Sequence, residues 1–363
     1  MILHYCCLLD YYNKRRSIFP HPCVEVILYF EDEEEKGIDK IHDKFGGLLL
    51  EDRNELVGYY GWRPAHTLVG EVVREGIDLF ETAKKLMEQI KNKSTYVNKF
   101  LTEDIVTVFL HREKIAESQS DDSGADTDSD GIEDELVGIL EKRTKYSKLI
   151  LDVLPNQEME NVRKALDLLI TLNETVELTQ HKAHTLQQIA RMFAYEIQIN
   201  PISEELRPII ERLDRIVERD YRSTDLPENG FDTAQRVIDE AIKLQVSHLH
   251  HFVTKATFYR IKLKYLQQKF SENDRLKVVM EDAMKTTRKG IDLYEDTLKT
   301  KDHGSYLHAI IGKIQTMVVV VEMFKKLPYF VNHPDGADES FKNYLTFHNH
   351  PPELVTLDRK SVV

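Results

Sequence analysis

Cysteine is scarce in this chain, tryptophan occurs once, and long apolar runs are few. The three cysteines, Cys6, Cys7 and Cys23, all fall within the first two dozen residues, so no disulfide framework can hold the main body. That usage points to a reducing, intracellular compartment. Basic charge is also in short supply: 49 Lys and Arg against 62 Asp and Glu leave a formal net charge of −13. A protein that grips nucleic-acid backbone needs a Lys/Arg-rich face, so neither nucleic acid nor anionic membrane is an expected partner. A basic protein partner would be steered towards such a surface. The opening Met1–Leu9 is apolar but lacks a basic lead and meets Asp10 at once, which does not read as a signal peptide. Met317–Val321 is too short to span a bilayer, and no other stretch reads as close. The chain has no glycine-rich phosphate loop, HExxH, nucleophile elbow or CxxC, so no catalytic, cofactor-binding or metal residue is assigned and no enzyme is expected.

What the chain has is helical periodicity. The clearest stretch is Asp232–Leu327, read as three long segments, Asp232–Phe270, Glu272–Thr300 and Ser305–Leu327. In the middle one, Leu276, Val279, Met280, Ala283, Thr287, Gly290, Ile291, Tyr294 and Leu298 draw one stripe at three-and-four spacing. Ser271 followed by Asp274 has the form of a capping box. Upstream, Val69 to Ile90 forms a stripe entered after Pro64, and a second helix is expected over Tyr96 to about Glu117. Leu136–Leu154 reads as helix up to Pro155. From Asn156, a candidate cap, the pattern runs through Val162 to Ile197, either as one long helix or as two broken near Gln180–His184, and ends at Pro201. Leu206–Val217 adds another helix.

Residues 1–60 do not share this pattern: Cys23–Phe30 reads as a strand, and Gly46, Gly47, Gly58 and Gly61 suggest loops. Residues 61–331 form the helical array, and 332–363, with Pro334, Pro351 and Pro352, an irregular tail. Residues 118–135 are nearly devoid of apolar side chains and rich in carboxylates, so they read as a disordered acidic linker or an extended loop. The expected fold is all-α, antiparallel helical hairpins stacked as an irregular, TPR-like α-solenoid. Helix starts thirty to forty residues apart suit that scale, although the tetratricopeptide residue signature is absent.

Candidate chemistry is thin. Asp126, Asp128, Asp130 and Gly131 resemble the first half of a calcium loop, but the twelfth position, which needs a bidentate Glu, is Val137. Ser118, Ser123 and Thr127 each precede an Asp by three residues and are candidate phosphorylation sites for acidophilic kinases. His181 and His184, with His248, His250 and His251, could supply imidazoles to a metal, but helical histidines at this spacing are expected on a solvated face. They define the alternative, an all-α metal-dependent enzyme using His181, His184, His248 and His251. His42–Asp43 lacks a matching downstream set, and Trp62 reads as a packing anchor. Phe258, Tyr259, Tyr265, Phe270, Tyr294 and Tyr306 read as filling between helices.

The runs ATFYRIKLKYLQQKF (Ala256–Phe270), TTRKGIDLYEDTLK (Thr286–Lys299) and KIQTMVVVVEMFKKLPYFV (Lys313–Val331) resemble the last helical pairs of the KIF-binding (kinesin-binding) protein family. LEKRTKYSKLILDVL (Leu140–Leu154) and WRPAHTLVGEVVREGIDLF (Trp62–Phe80) fall in compatible order, so the likeness covers residues 62–331. The resemblance implies a cytoplasmic, cytoskeleton-associated, non-enzymatic α-solenoid without a cofactor, which binds kinesin motor domains and keeps them off microtubules. The family's N-terminal repeat half has no counterpart here. A general assembly module without motor specificity is the other non-enzymatic reading.

Overall fold

The structure, a computed structural model, describes residues 2–12, 19–21, 45–54, 59–90, 100, 104–114, 143–156, 158–217, 229–272, 276–300 and 303–325, with side chains except at 54, 59, 269–281, 303–304 and 324–325. The described chain is mostly helical, with one small sheet. It divides into two units. The first comprises 1–127, 141–192 and 203–226, and the second 128–140, 193–202 and 227–363.

The first unit opens with α1 (Ile2–Tyr12), followed by β1 (Phe19–Pro20), β2 (Leu49–Asn54) and β3 (Tyr59–Pro64). The strands form an antiparallel sheet in the order β1-β3-β2, with Phe19 opposite Trp62 and Glu51 opposite Trp62 on the other side. The helical expectation holds for most of the described chain, with this small sheet added to it, and Gly61, read as loop, lies in β3. Gly47 sits in a turn at φ +81°, a conformation natural to glycine. The strand expected at Cys23–Phe30 lies outside the described residues, as do His42–Asp43 and the whole of 118–135 with Ser118, Ser123 and Thr127.

Five helical expectations are redrawn by local hydrogen bonding. The Val69–Ile90 stripe is two helices, α2 (Thr67–Glu75) and α3 (Leu79–Ile90), because Gly76 closes the first and Asp78 Oδ1 accepts the Glu81 N–H to start the second. The helix expected to reach Glu117 is only α4 (Val106–Leu110) among the described residues. There Glu113 N–H donates to Thr144 Oγ1 and Arg112 Nε to Thr144 O, leading into a bridge between Lys114 and Arg143. That bridge also keeps 143–147 out of a helix, so among the described residues of the Leu136–Leu154 segment the helix is α5 (Lys148–Val153), capped by Ser147. The Val162–Ile197 pattern breaks at 176–178, between α6 (Met159–Thr175) and α7 (Thr179–Met192). The fifth is Asp232–Phe270, described below. A 3₁₀ turn (Glu204–Leu206) leads into α8 (Arg207–Ile216).

Helix α6 is the hub of this unit and packs against α3, α5, α7 and α8. Val162, Ala165, Leu166, Leu168, Leu169, Ile170 and Leu172 are all buried, so α6 is apolar around most of its circumference, as a helix covered on several sides must be. The N-terminal region packs instead of trailing. Tyr5, Cys6, Cys7, Leu8 and Leu9 of α1 are buried, and α1 lies on α2, α3, β1 and β3. Rings of Tyr5, Phe19 and Phe100 stand in sequence at 5.8 Å spacings, and Trp62 is buried as expected.

In the second unit a π-helical turn (Phe193–Ile197) ends at Gln198, whose φ is 55°. Phe231 N–H donates to Gln198 O, seating the start of α9 (Gly230–Leu244) against that turn. A Cβ at Gly230 would stand 2.6 Å from Gln198 O and 2.8 Å from Phe193 O, so the approach requires glycine. The segment read as one helix over Asp232–Phe270 is two, because residues 245–247 form a turn before α10 (Leu249–Glu272). Then come α11 (Leu276–Lys299) and α12 (His303–Lys325). Ser271, the proposed cap, lies inside α10.

Helices α10, α11 and α12 are in mutual contact. Lys262 pairs with Asp282 while Tyr259 lies against Gly290, so α11 runs antiparallel to α10. Ala256 clusters with Ala309 while Gln267 bonds Glu322, so α12 runs parallel to α10. The centre of the layer is Tyr294, fully buried with Ala256 and Ala309. Gly312 opens the slot for its ring, since a Cβ there would lie 2.5 Å from two ring carbons. The predicted stripe is buried at Ala283, Thr287, Gly290, Ile291 and Tyr294. Buried threonines bond back within their own helices: Thr287 to Ala283 O and Thr316 to Gly312 O.

Candidate functional site

Of the histidines singled out in the sequence, His181 and His184 lie on α7 in the first unit. His248, His250 and His251 lie at the start of α10 in the second unit, where the fold adds His308 of α12. His251 is fully buried and His248, His250 and His308 are half-buried, which corrects the solvated face expected of the α10 group. The turn before α10 explains the burial. His248 N–H donates to Gln245 O and His251 N–H to His248 O, so residues 248 and 251 project from one side of the forming helix. Ring centroids lie 4.8 Å apart for His248 and His251, 5.4 Å for His248 and His250, and 5.7 Å for His250 and His308. Sequence spacing pointed to the first three; His308 is distant in sequence and carried no signal of its own.

A second polar constellation sits inside the first unit. Asp167 of α6 is buried, with Lys84 Nζ at 2.8 Å from one carboxylate oxygen and Arg212 bonded to the other. Arg212 also donates to Glu174 at 3.0 and 3.1 Å and to Thr171 Oγ1 at 3.0 Å. Burial pulls the Arg212 pKa down, but hydrogen bonds to Glu174 and the nearby carboxylate charges outweigh it, so the guanidinium stays charged. Two cations face two carboxylates around the buried Asp167, an ion network that ties α3, α6 and α8.

Near α1, Tyr12 donates to Asp152 Oδ2 at 2.7 Å, while Arg74 and Lys148 stand over the Tyr11 ring at 4.4 and 4.0 Å. Burial, then the bond to Asp152, pushes the Tyr12 phenol up. Burial pushes Cys6 well up and, with the charge of Asp10, pushes Cys7 up to about 12, so neither thiol is an activated nucleophile.

Among the aromatics, Phe258, Tyr259 and Tyr294 are buried, Tyr265 is half-buried and Tyr306 is exposed. Tyr306, Leu307 and Ile314 leave apolar surface outside α12. Against the expectation that no stretch approaches a membrane span, Ser305–Met323 is long and apolar enough to cross one. Half of it is buried against its neighbours, and its Lys313 pairs with Glu295 of α11 at 2.8 Å, the arrangement of a core helix.

No protein-family model, curated protein or solved structure matches this chain.

Proposed function

We propose that the protein is a non-enzymatic helical scaffold, its second unit part of an irregular, TPR-like α-solenoid, that binds kinesin motor domains and regulates their attachment to microtubules in the cytoplasm. The observation that carries this reading is the coincidence of α10, α11 and α12 with three segments that resemble the KIF-binding protein family: Ala256–Phe270, Thr286–Lys299 and, as far as Lys325, Lys313–Val331. Long helices alternating in direction, with exposed Tyr306, Leu307 and Ile314, offer the kind of face on which a folded partner docks. The net charge of −13 favours encounter with a basic surface.

The test is a pull-down with purified kinesin motor domains followed by microtubule co-sedimentation. The expected result is a complex and a smaller fraction of motor in the microtubule pellet. No complex together with unchanged sedimentation removes the kinesin reading and leaves a general assembly module.

A further inference from the structure

We propose that α12 carries a self-association face through which two copies of this chain pair antiparallel. The face is a stripe of Leu307, Ile310, Ile314, Val318 and Val321 along the outside of the helix. Steps of three and four residues keep these positions in line, over about 21 Å of helix at a rise of about 1.5 Å per residue. Leu307 and Ile314 are 40% and 37% exposed, and Ile310, Val318 and Val321 are half-buried. The opposite side of α12, with Ala309 and Gly312, meets Ala256 of α10 and Tyr294 of α11, so the stripe is what the three-helix layer leaves uncovered. The inference does not rest on kinesin binding, although both would use this side of α12.

Three features choose the occupant. From Leu307 to Val321 the stripe carries no charge, because Lys313 pairs with Glu295 of α11 and Glu322 accepts from Gln267 of α10. Nothing on it selects a charged surface, whereas a second apolar stripe can cover it without burying an ion. The stripe is also symmetric about Ile314. Two-fold antiparallel pairing sets Leu307 opposite Val321, Ile310 opposite Val318 and Ile314 opposite itself. On either side of the axis a larger side chain then faces a smaller one, the alternation that lets facing layers interdigitate. Finally, the apolar surface left bare here, with the exposed Tyr306, is roughly 300–400 Å², a size that monomers seldom leave without a function. Two such patches bury less than the about 1,200–2,000 Å² of a standard interface, so the dimer is weak and concentration-dependent.

The test is sedimentation equilibrium of the full chain from about 1 µM to about 300 µM, with helical circular dichroism to confirm folding of each variant. Wild type is expected to pass from monomer to dimer mass across that range. Leu307→Glu and Val321→Lys should each weaken the dimer at least about tenfold, since each pairing then drives two charges into an apolar seam. Mixing these two variants should restore dimer, because residue 307 of one copy meets residue 321 of the other only in the antiparallel pair. Leu68→Glu, at an exposed apolar residue of the first unit, should leave association unchanged. Monomer mass throughout, undiminished association in folded Leu307→Glu, or no recovery on mixing overturns the proposal. A monomeric wild type that captures kinesin motor domains and loses them in Ile314→Glu overturns it in favour of the motor. A monomeric wild type that floats with phosphatidylcholine vesicles overturns it in favour of a lipid surface. A dimer that captures no motor at any concentration upholds the pairing and removes only the kinesin reading.

Discussion

The two units differ in how far along the chain most of their inter-helix polar bonds reach. In the first, the bonds that matter join residues far apart in sequence: Tyr12 to Asp152 across 140 positions, Tyr5 to Gln89 across 84, Lys84 to Asp167 across 83 and Arg212 to Asp167 across 45. In the second, Lys255 reaches Asp239 across 16, Lys313 reaches Glu295 across 18 and Lys262 reaches Asp282 across 20, with Gln267 to Glu322 across 55 joining α10 to α12. Its buried threonines bond four residues back. Long helices satisfy their own backbone and need only a complementary neighbour. A unit of short helices and a small sheet must close its interior with long-range pairs, each carrying a loop-closure cost.

The contrast can be broken by mutation, because Trp62, the only tryptophan, reports on the first unit while helical circular dichroism reports on both. The largest effect is expected from Asp167→Ala, which strands Lys84 and part of the Arg212 charge in a mostly buried setting. It should cost about 3 kcal/mol, read as an earlier Trp62 fluorescence midpoint in denaturant titration. An unchanged midpoint would mean the network contributes nothing net.

Gly312→Ala should cost about 1–3 kcal/mol by driving a methyl group into the Tyr294 ring. The loss should appear in circular dichroism with little movement of the Trp62 signal, and Tyr294→Leu in the same chain should recover part of it. An equal shift in Trp62 fluorescence would dissolve the distinction between the units.

The last effect is alkaline and builds up gradually with pH. Cys7 has a folded pKa raised from 9.0 to about 12, so its contribution to stability is fully present below pH 9 and is lost as pH rises through that window. The loss cannot exceed about 1.4 kcal/mol per pH unit for one group. Cys7→Ala should flatten the alkaline limb of the Trp62 midpoint; an identical slope in the variant would assign that limb to other groups.

Much of the second unit was legible because its information is local. The Ala283–Tyr294 stripe is buried as its spacing requires, and Phe258 and Tyr259 fill the layer. The break at residues 245–247 was not legible, since an apolar pattern continues across it and only backbone bonding such as His248 N–H to Gln245 O reveals the turn. In the first unit, Thr144 is an unremarkable residue until Glu113 and Arg112 bond to it and end two expected helices. Asp167 carried no signal at all, because an aspartate in an apolar helix reads as a surface position unless its partners on α3 and α8 are known.

The candidate histidine site divides the same way. Three of its rings come from one four-residue stretch and could be noticed, but their burial and the arrival of His308 depend on how α12 lies beside α10. By itself the sequence determined the helical class, the acidic balance and the apolar faces, since periodicity and charge are properties of neighbours along the chain. The tertiary structure alone decided the sheet under α1, the ion network on α6, the glycine slot for Tyr294 and the row of imidazoles. Each of these joins residues whose proximity no local pattern encodes.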